Sequence, residues 1–192
     1  MIDIDTPMNG EVQSATLGLG MWEYARTNDA KRVLMTPGLA PCIGIALYAP
    51  ETAIGYMAHL SCTFMNAEPF WDYLVQEELG SNTRAWLRGG QINYVDDERL
   101  DSIAWGQENR SFAIESLISV GVDRANIDIE WDDRQSPSHP ATIISLDADT
   151  GVFETRRGML ADAAAWFGEL VVEDLLTRQP YGAPPTEVRS GN

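Results

Sequence analysis

Lysine is almost missing from this chain: Lys31 stands alone, and the other twelve basic residues are arginine. Basic charge of any kind is scarce, with 13 basic against 29 acidic side chains and a formal net charge of −16. Such a surface repels phosphate backbones and anionic headgroups, which argues against nucleic-acid binding and membrane-surface roles. There are two cysteines, Cys42 and Cys62, too few for a disulfide framework. No apolar run approaches the roughly 18 residues that would span a bilayer, so no membrane insertion is expected. The chain opens acidic over residues 1–5, unlike a secretory leader. The expectation is a cytoplasmic protein with both thiols free. The two histidines, His59 and His139, form no close ligand pair with the cysteines, so no metal is expected. The acidic clusters Asp96-Asp97-Glu98 and Asp132-Asp133 lack the oxygen spacing of a calcium loop. Gly89-Gly90 is not followed by Gly-Lys-Ser/Thr, which excludes a phosphate loop.

What is present is a globular composition, 44% hydrophobic with six tryptophans. A chain of 192 residues can bury about 70% of its unfolded surface without a staple. Residues 1–15 are polar and read as a flexible arm. Strands are expected at 16–26, 32–36, 42–48, 52–60, 84–94, 125–131, 141–146 and 152–155, with a Pro/Gly turn at 37–41. Helices are expected at 68–79, 108–120 and 158–178, where apolar residues recur at helical spacing. The division is an arm at 1–15, a folded domain at 16–158, and a C-terminal helix with a disordered tail at 159–192. Strands outnumber helices and do not alternate with them regularly, which argues for an α+β fold.

Cys42 opens an expected strand directly after the Pro/Gly turn, and His59 lies near the end of the next strand. A hairpin of this length can bring the two side chains to one end of a sheet. A thiolate nucleophile needs a neighbouring imidazole that lowers the thiol pKa and holds its proton. The Thr36 hydroxyl is a candidate to bond the second ring nitrogen and fix the tautomer. The Cys42 N–H is a candidate oxyanion donor, whereas Pro41 has no N–H to give. The spacing alone is a weak signal, because a buried Cys is usually a small hydrophobe.

The segment TPGLAPCIGIALYAPETAIGYMAH, residues 36–59, resembles the chemoreceptor glutamine deamidase family, CheD. Thr36, Gly38, Leu39, Cys42, Tyr48-Ala49-Pro50, Gly55, Met57, Ala58 and His59 fall at the family's motif positions. Upstream, GLGMWEYAR resembles its opening strand. Downstream, Gly89-Gly90, Gly106-x-x-Asn109 and Asp149-Thr-Gly151 with Arg156-Arg157 resemble its later motifs. The resemblance covers residues 17–158. It implies a layered mixed or antiparallel sheet sandwich flanked by helices. It also implies hydrolysis of a protein glutamine amide by Cys42, His59 and Thr36, with no cofactor. Gly89, Gly90 and Asn109 are then the expected substrate-side residues, although the glycines could equally let the backbone approach the catalytic hairpin. The implied partners are a chemoreceptor-like protein substrate and a phosphatase or other partner of bacterial chemotaxis signalling. The chain departs from the family at Ala40-Pro41, where the family has Gly-Ser.

Two other readings stand beside this one. Pro41 and the acidic surface suit a non-catalytic binding module on the same fold. The near-absence of lysine suits a deamidating effector, or simply genomic codon bias. Cys62 reads as a structural thiol and His139 as an exposed loop residue.

Overall fold

The computed structural model describes residues 15–65, 67–77, 79–92, 102–133, 141–158 and 186–187. In chain order these form β1 (Thr16–Gly18), β2 (Glu23–Arg26), β3 (Val33–Leu39), β4 (Ile43–Ala49) and β5 (Ile54–Leu60). There follow α1 (Glu68–Gln76), β6 (Arg84–Gly89), α2 (Ser102–Ser119), β7 (Ile127–Trp131), β8 (Ala141–Asp147), β9 (Val152–Gly158) and β10 (Thr186–Glu187).

The strands build two mixed sheets. One has the order β1-β3-β8-β9, the other β10-β2-β5-β4-β6-β7. Alternation along β4 decides how the layers stack. Cys42, just before it, and Ala46 and Tyr48 within it face a core shared with Leu34, Leu39, Ile144 and Leu146 of the smaller sheet. Ile43, Ile45 and Leu47 face the opposite way, against Phe70 and Leu74 of α1 and Leu117 of α2. Both faces of β4 are therefore buried, which explains why CIGIALY reads as a continuous apolar run. The fold is α+β: sheet on sheet, with helices over the outer face of the larger sheet. Gly44 sits where the two sheets press closest, since a Cβ there would strike Leu39 Cδ1 and Ile144 Cδ1.

Several expectations change. The single strand expected at 16–26 is two strands in different sheets, because the chain reverses between them at residues 20–23. The turn expected at 37–41 is largely strand: β3 continues through Pro37 and Gly38 to Leu39, shifting register after Thr36. A bulge absorbs a residue that cannot join the ladder. The second helix begins at Ser102 rather than residue 108 and carries Gly106 in its interior. Thr186–Glu187 pairs with β2 in parallel, so at these two residues the expected disordered tail is strand. Residues 1–14, the acidic cluster 96–98, His139 and nearly all of the expected 158–178 helix lie outside the described residues. No helix among the described residues is long and apolar enough to cross a membrane.

Candidate active site

Strand register brings the three expected site residues to one face. His59 on β5 pairs with Gly44 on β4, antiparallel, and Cys42 lies two residues before Gly44. Side chains two apart share a face, so Cys42 and His59 both project between the sheets. Thr36 reaches the same space from β3, and its Oγ lies 2.7 Å from His59 Nδ1.

The hydrogen bonds of Thr36 assign the imidazole tautomer. The hydroxyl has one proton and donates it to the Leu19 carbonyl oxygen at 2.7 Å. Toward the ring it can then only accept, so Nδ1 carries the hydrogen and Nε2 the lone pair. Nε2 is buried and, among the described residues, has no hydrogen-bond partner. A buried acceptor without a partner costs about 1–3 kcal/mol, and such orphaned groups cluster where chemistry needs them. The ring is thus held as a neutral base with its acceptor uncommitted.

The site is closed. Cys42 is 6% exposed and His59 4%. The Cys42 thiol points at Met21 Sδ, 3.8 Å away, and no hydrogen bond joins it to His59. Burial pushes the Cys42 thiol up to about 12 and the His59 imidazole down to about 4. This runs opposite to the expectation of a thiol pKa lowered by a neighbouring imidazole: burial raises it. With both side chains buried, their charged forms lose solvation, which favours a neutral thiol and a neutral imidazole.

Met21, whose sulfur lies against Cys42, belongs to a turn at residues 20–23. Glu23 closes it twice: its N–H bonds the Gly20 carbonyl at 3.2 Å, and its carboxylate accepts the Gly20 N–H at 2.6 Å. Trp22, third in the turn, has φ of +67°, a position usually taken by glycine or asparagine. Holding a bulky residue there costs on the order of 1–3 kcal/mol. Its N–H donates to the His59 carbonyl at 2.7 Å, while its indole N–H is buried and, among the described residues, unpaired.

Gly89 and Gly90 run beside the Cys42 backbone. Both have positive φ, and a Cβ on Gly89 would collide with the Cys42 carbonyl oxygen. Gly90 N–H donates to that oxygen at 2.8 Å, and Gln91 N–H to the Ala40 carbonyl at 2.7 Å. These bonds clamp the backbone on both sides of Pro41 through carbonyls alone, so the missing Pro41 N–H costs nothing there. The contact is with the hairpin that carries Cys42 and His59, one of the two roles open for these glycines.

Asn109 is 1% exposed, and its Oδ1 accepts the Thr63 N–H at 2.5 Å. Its Nδ2 approaches the Ser61 carbonyl at 3.5 Å. Asn109 therefore anchors the segment that follows β5, and the structure does not place it as a solvent-facing substrate contact. Arg110 beside it donates Nε to the Gly90 carbonyl at 2.8 Å and pairs with Asp133. Cys62 accepts the Met65 N–H at 3.3 Å in the same anchored segment. Met21 and Arg110 are not singled out by the sequence, and Glu23 enters there only within the GLGMWEYAR segment that resembles the family's opening strand. Among the described residues, no cluster of three or more His, Cys, Asp or Glu is placed to hold a metal ion.

The chain is similar to probable glutamine deamidases. Over 124 residues it is 29% identical to proteins named probable chemoreceptor glutamine deamidase CheD from two strains of Desulfitobacterium hafniense, DCB-2 and Y51. The alignment covers 57% of this chain and 77% of each relative. No protein-family model matches the chain. Among solved structures, Bacillus licheniformis hypothetical protein YfiH matches with a TM-score of 0.41 and 16% identity, over 56% of this chain and 50% of that one. YlmD from Geobacillus stearothermophilus matches with a TM-score of 0.38 and 14% identity, over 79% of this chain and 56% of that one.

Proposed function

We propose that this protein hydrolyses the side-chain amide of a protein glutamine, giving glutamate and ammonia. Cys42 is the nucleophile, His59 the base, and Thr36 the group that orients the ring. The observation that carries the reading is the Thr36–His59 bond, because it leaves the Nε2 lone pair uncommitted on the face that also holds Cys42. The similarity to probable glutamine deamidases supports amide hydrolysis as the class of reaction.

In this reading Cys42 Sγ transfers its proton to His59 Nε2 as sulfur attacks the amide carbon. The carbonyl becomes an oxyanion, with the Cys42 N–H as its candidate donor. Imidazolium returns the proton to the departing nitrogen, the C–N bond breaks, and ammonia leaves a thioester. Water then attacks the thioester with His59 again taking a proton, releasing glutamate and restoring the thiol. Thr36 keeps Nδ1 protonated throughout, so the correct nitrogen faces sulfur. No step needs a metal or organic cofactor. A chemoreceptor of bacterial chemotaxis is the substrate we favour, with a phosphatase of that pathway as a candidate partner.

The test is ammonia release, or a gain of about 1 Da on a receptor glutamine. Wild type should produce both and Cys42→Ala neither; full activity in Cys42→Ala refutes the reading. Burial of Cys42 beneath Met21 favours a second reading, a non-catalytic module that binds a signalling partner. That module would bind its partner without releasing ammonia, and Cys42→Ala would bind equally well.

A further inference from the structure

One short segment, residues 19–22, touches all three residues of the site. The Leu19 carbonyl accepts the Thr36 hydroxyl hydrogen bond; Met21 lies against the Cys42 sulfur; Trp22 N–H bonds the His59 carbonyl. A glutamine side chain on another protein cannot reach a sulfur that is 6% exposed while Met21 stays in place. The turn is also held against its own preference, with Trp22 at φ +67° and its indole N–H unpaired. A strained element at a reactive site is held by specific bonds and released when they break. The bond that stands out is made by Glu23, which is 2% exposed and pairs in register with His59 across β2 and β5. Burying a carboxylate is costly, and this one spends an oxygen on the Gly20 N–H, closing the turn a second time.

We propose that Glu23 is a positioning residue and latch for the site: its bond to the Gly20 N–H holds the 20–23 turn shut, with Met21 as the plug over Cys42. Release of that bond lets the turn relax and Met21 swing from the sulfur, admitting an amide side chain. Closed, the turn keeps the thiol from adventitious electrophiles. This inference rests on reading Cys42 as the reactive thiol, but its test does not depend on amide turnover.

The test is alkylation of the full chain by iodoacetamide, with Cys42 and Cys62 followed separately by peptide mass spectrometry. In wild type Cys42 should label slowly, limited by turn opening. Glu23→Ala should raise the Cys42 rate by about tenfold or more and leave the Cys62 rate within about twofold. Glu23→Gln, whose amide oxygen still accepts the Gly20 N–H, should stay within about threefold of wild type. Met21→Ala removes the plug at a half-buried position and should give the same rise as Glu23→Ala. If Glu23→Ala speeds both cysteines together, the variant has lost its fold and Met21→Ala decides. An unchanged Cys42 rate in Met21→Ala, or Glu23→Gln as fast as Glu23→Ala, overturns the latch. A gated Cys42 with no ammonia release would leave the latch standing and remove the deamidase reading. Ammonia release with ungated labelling would do the reverse.

Discussion

Acid should weaken this fold through a single buried imidazole. His59 is 4% exposed, and burial lowers its pKa from 6.5 to about 4. Between those values the unfolded chain binds a proton that the folded chain refuses. Stability therefore rises with pH across this window, is fully present above about pH 6.5, and is lost as pH falls toward 4. For a folded value of about 4, the linkage from pH 7 to pH 5 amounts to about 2 kcal/mol. Other groups titrate over the same range, and acid relieves part of the self-repulsion of a chain with net charge −16. These effects cancel in a comparison with His59→Asn, a neutral side chain whose amide can still donate to Thr36. Urea unfolding followed by tryptophan fluorescence at pH 7 and pH 5 supplies the four values needed. Wild type should lose about 2 kcal/mol more than His59→Asn on acidification. A difference below about 0.5 kcal/mol would mean that His59 is solvated or charged in the folded state, and the neutral thiol–imidazole pair would fall with it.

Three further outcomes follow from the bonds around the site. Thr36→Val should cost about 1–3 kcal/mol in urea unfolding, since the Leu19 carbonyl and His59 Nδ1–H both lose a buried partner, whereas Thr36→Ser should stay near wild type. Gly89→Ala and Gly38→Ala both place a side chain at φ near +80°, but only at Gly89 does the Cβ meet backbone, the Cys42 carbonyl. Gly38→Ala should cost about 1–2 kcal/mol and Gly89→Ala at least about 1 kcal/mol more; equal losses would refute the clash. Asn109→Ala should cost about 1–3 kcal/mol by orphaning the Thr63 N–H, and should speed alkylation of Cys62 in the segment it anchors.

What could be read from sequence was whatever has a local signature. The apolar runs at Ile43–Ala49 and Ile54–Leu60 are strands because both their faces are buried, and continuous hydrophobicity records that directly. The link between them, Ala49-Pro50 and the residues after it, is short, so antiparallel pairing followed, and with it a common face for Cys42 and His59. Thr36 was reachable through its family spacing, and its bond to Nδ1 depends only on β3 lying across from β5. Helix α2 starts at Ser102 rather than residue 108, and it runs through Gly106 although glycine is a poor helix former.

The closed state of the site was illegible for a different reason. It depends on a reversal at residues 20–23 that sequence rules argue against, since they would put glycine or asparagine where Trp22 stands. Local preference there is overruled by three long-range bonds: Leu19 N–H to the Met35 carbonyl, Thr36 to the Leu19 carbonyl, and Trp22 N–H to the His59 carbonyl. Each partner lies at least sixteen residues away in sequence, and periodicity carries no information at that range. The conflict between local rule and global structure falls on the segment that covers the candidate nucleophile. Elsewhere in β1 through β5, backbone irregularity is confined to the bulge after Thr36 and the positive φ of Gly38 and Ala53. Sequences are locally consistent where they need only fold, and they depart from that consistency where a second conformation has to remain within reach. On this argument the strain at Trp22 belongs to the opening of the site, and relieving it should change access to Cys42 before it changes global stability.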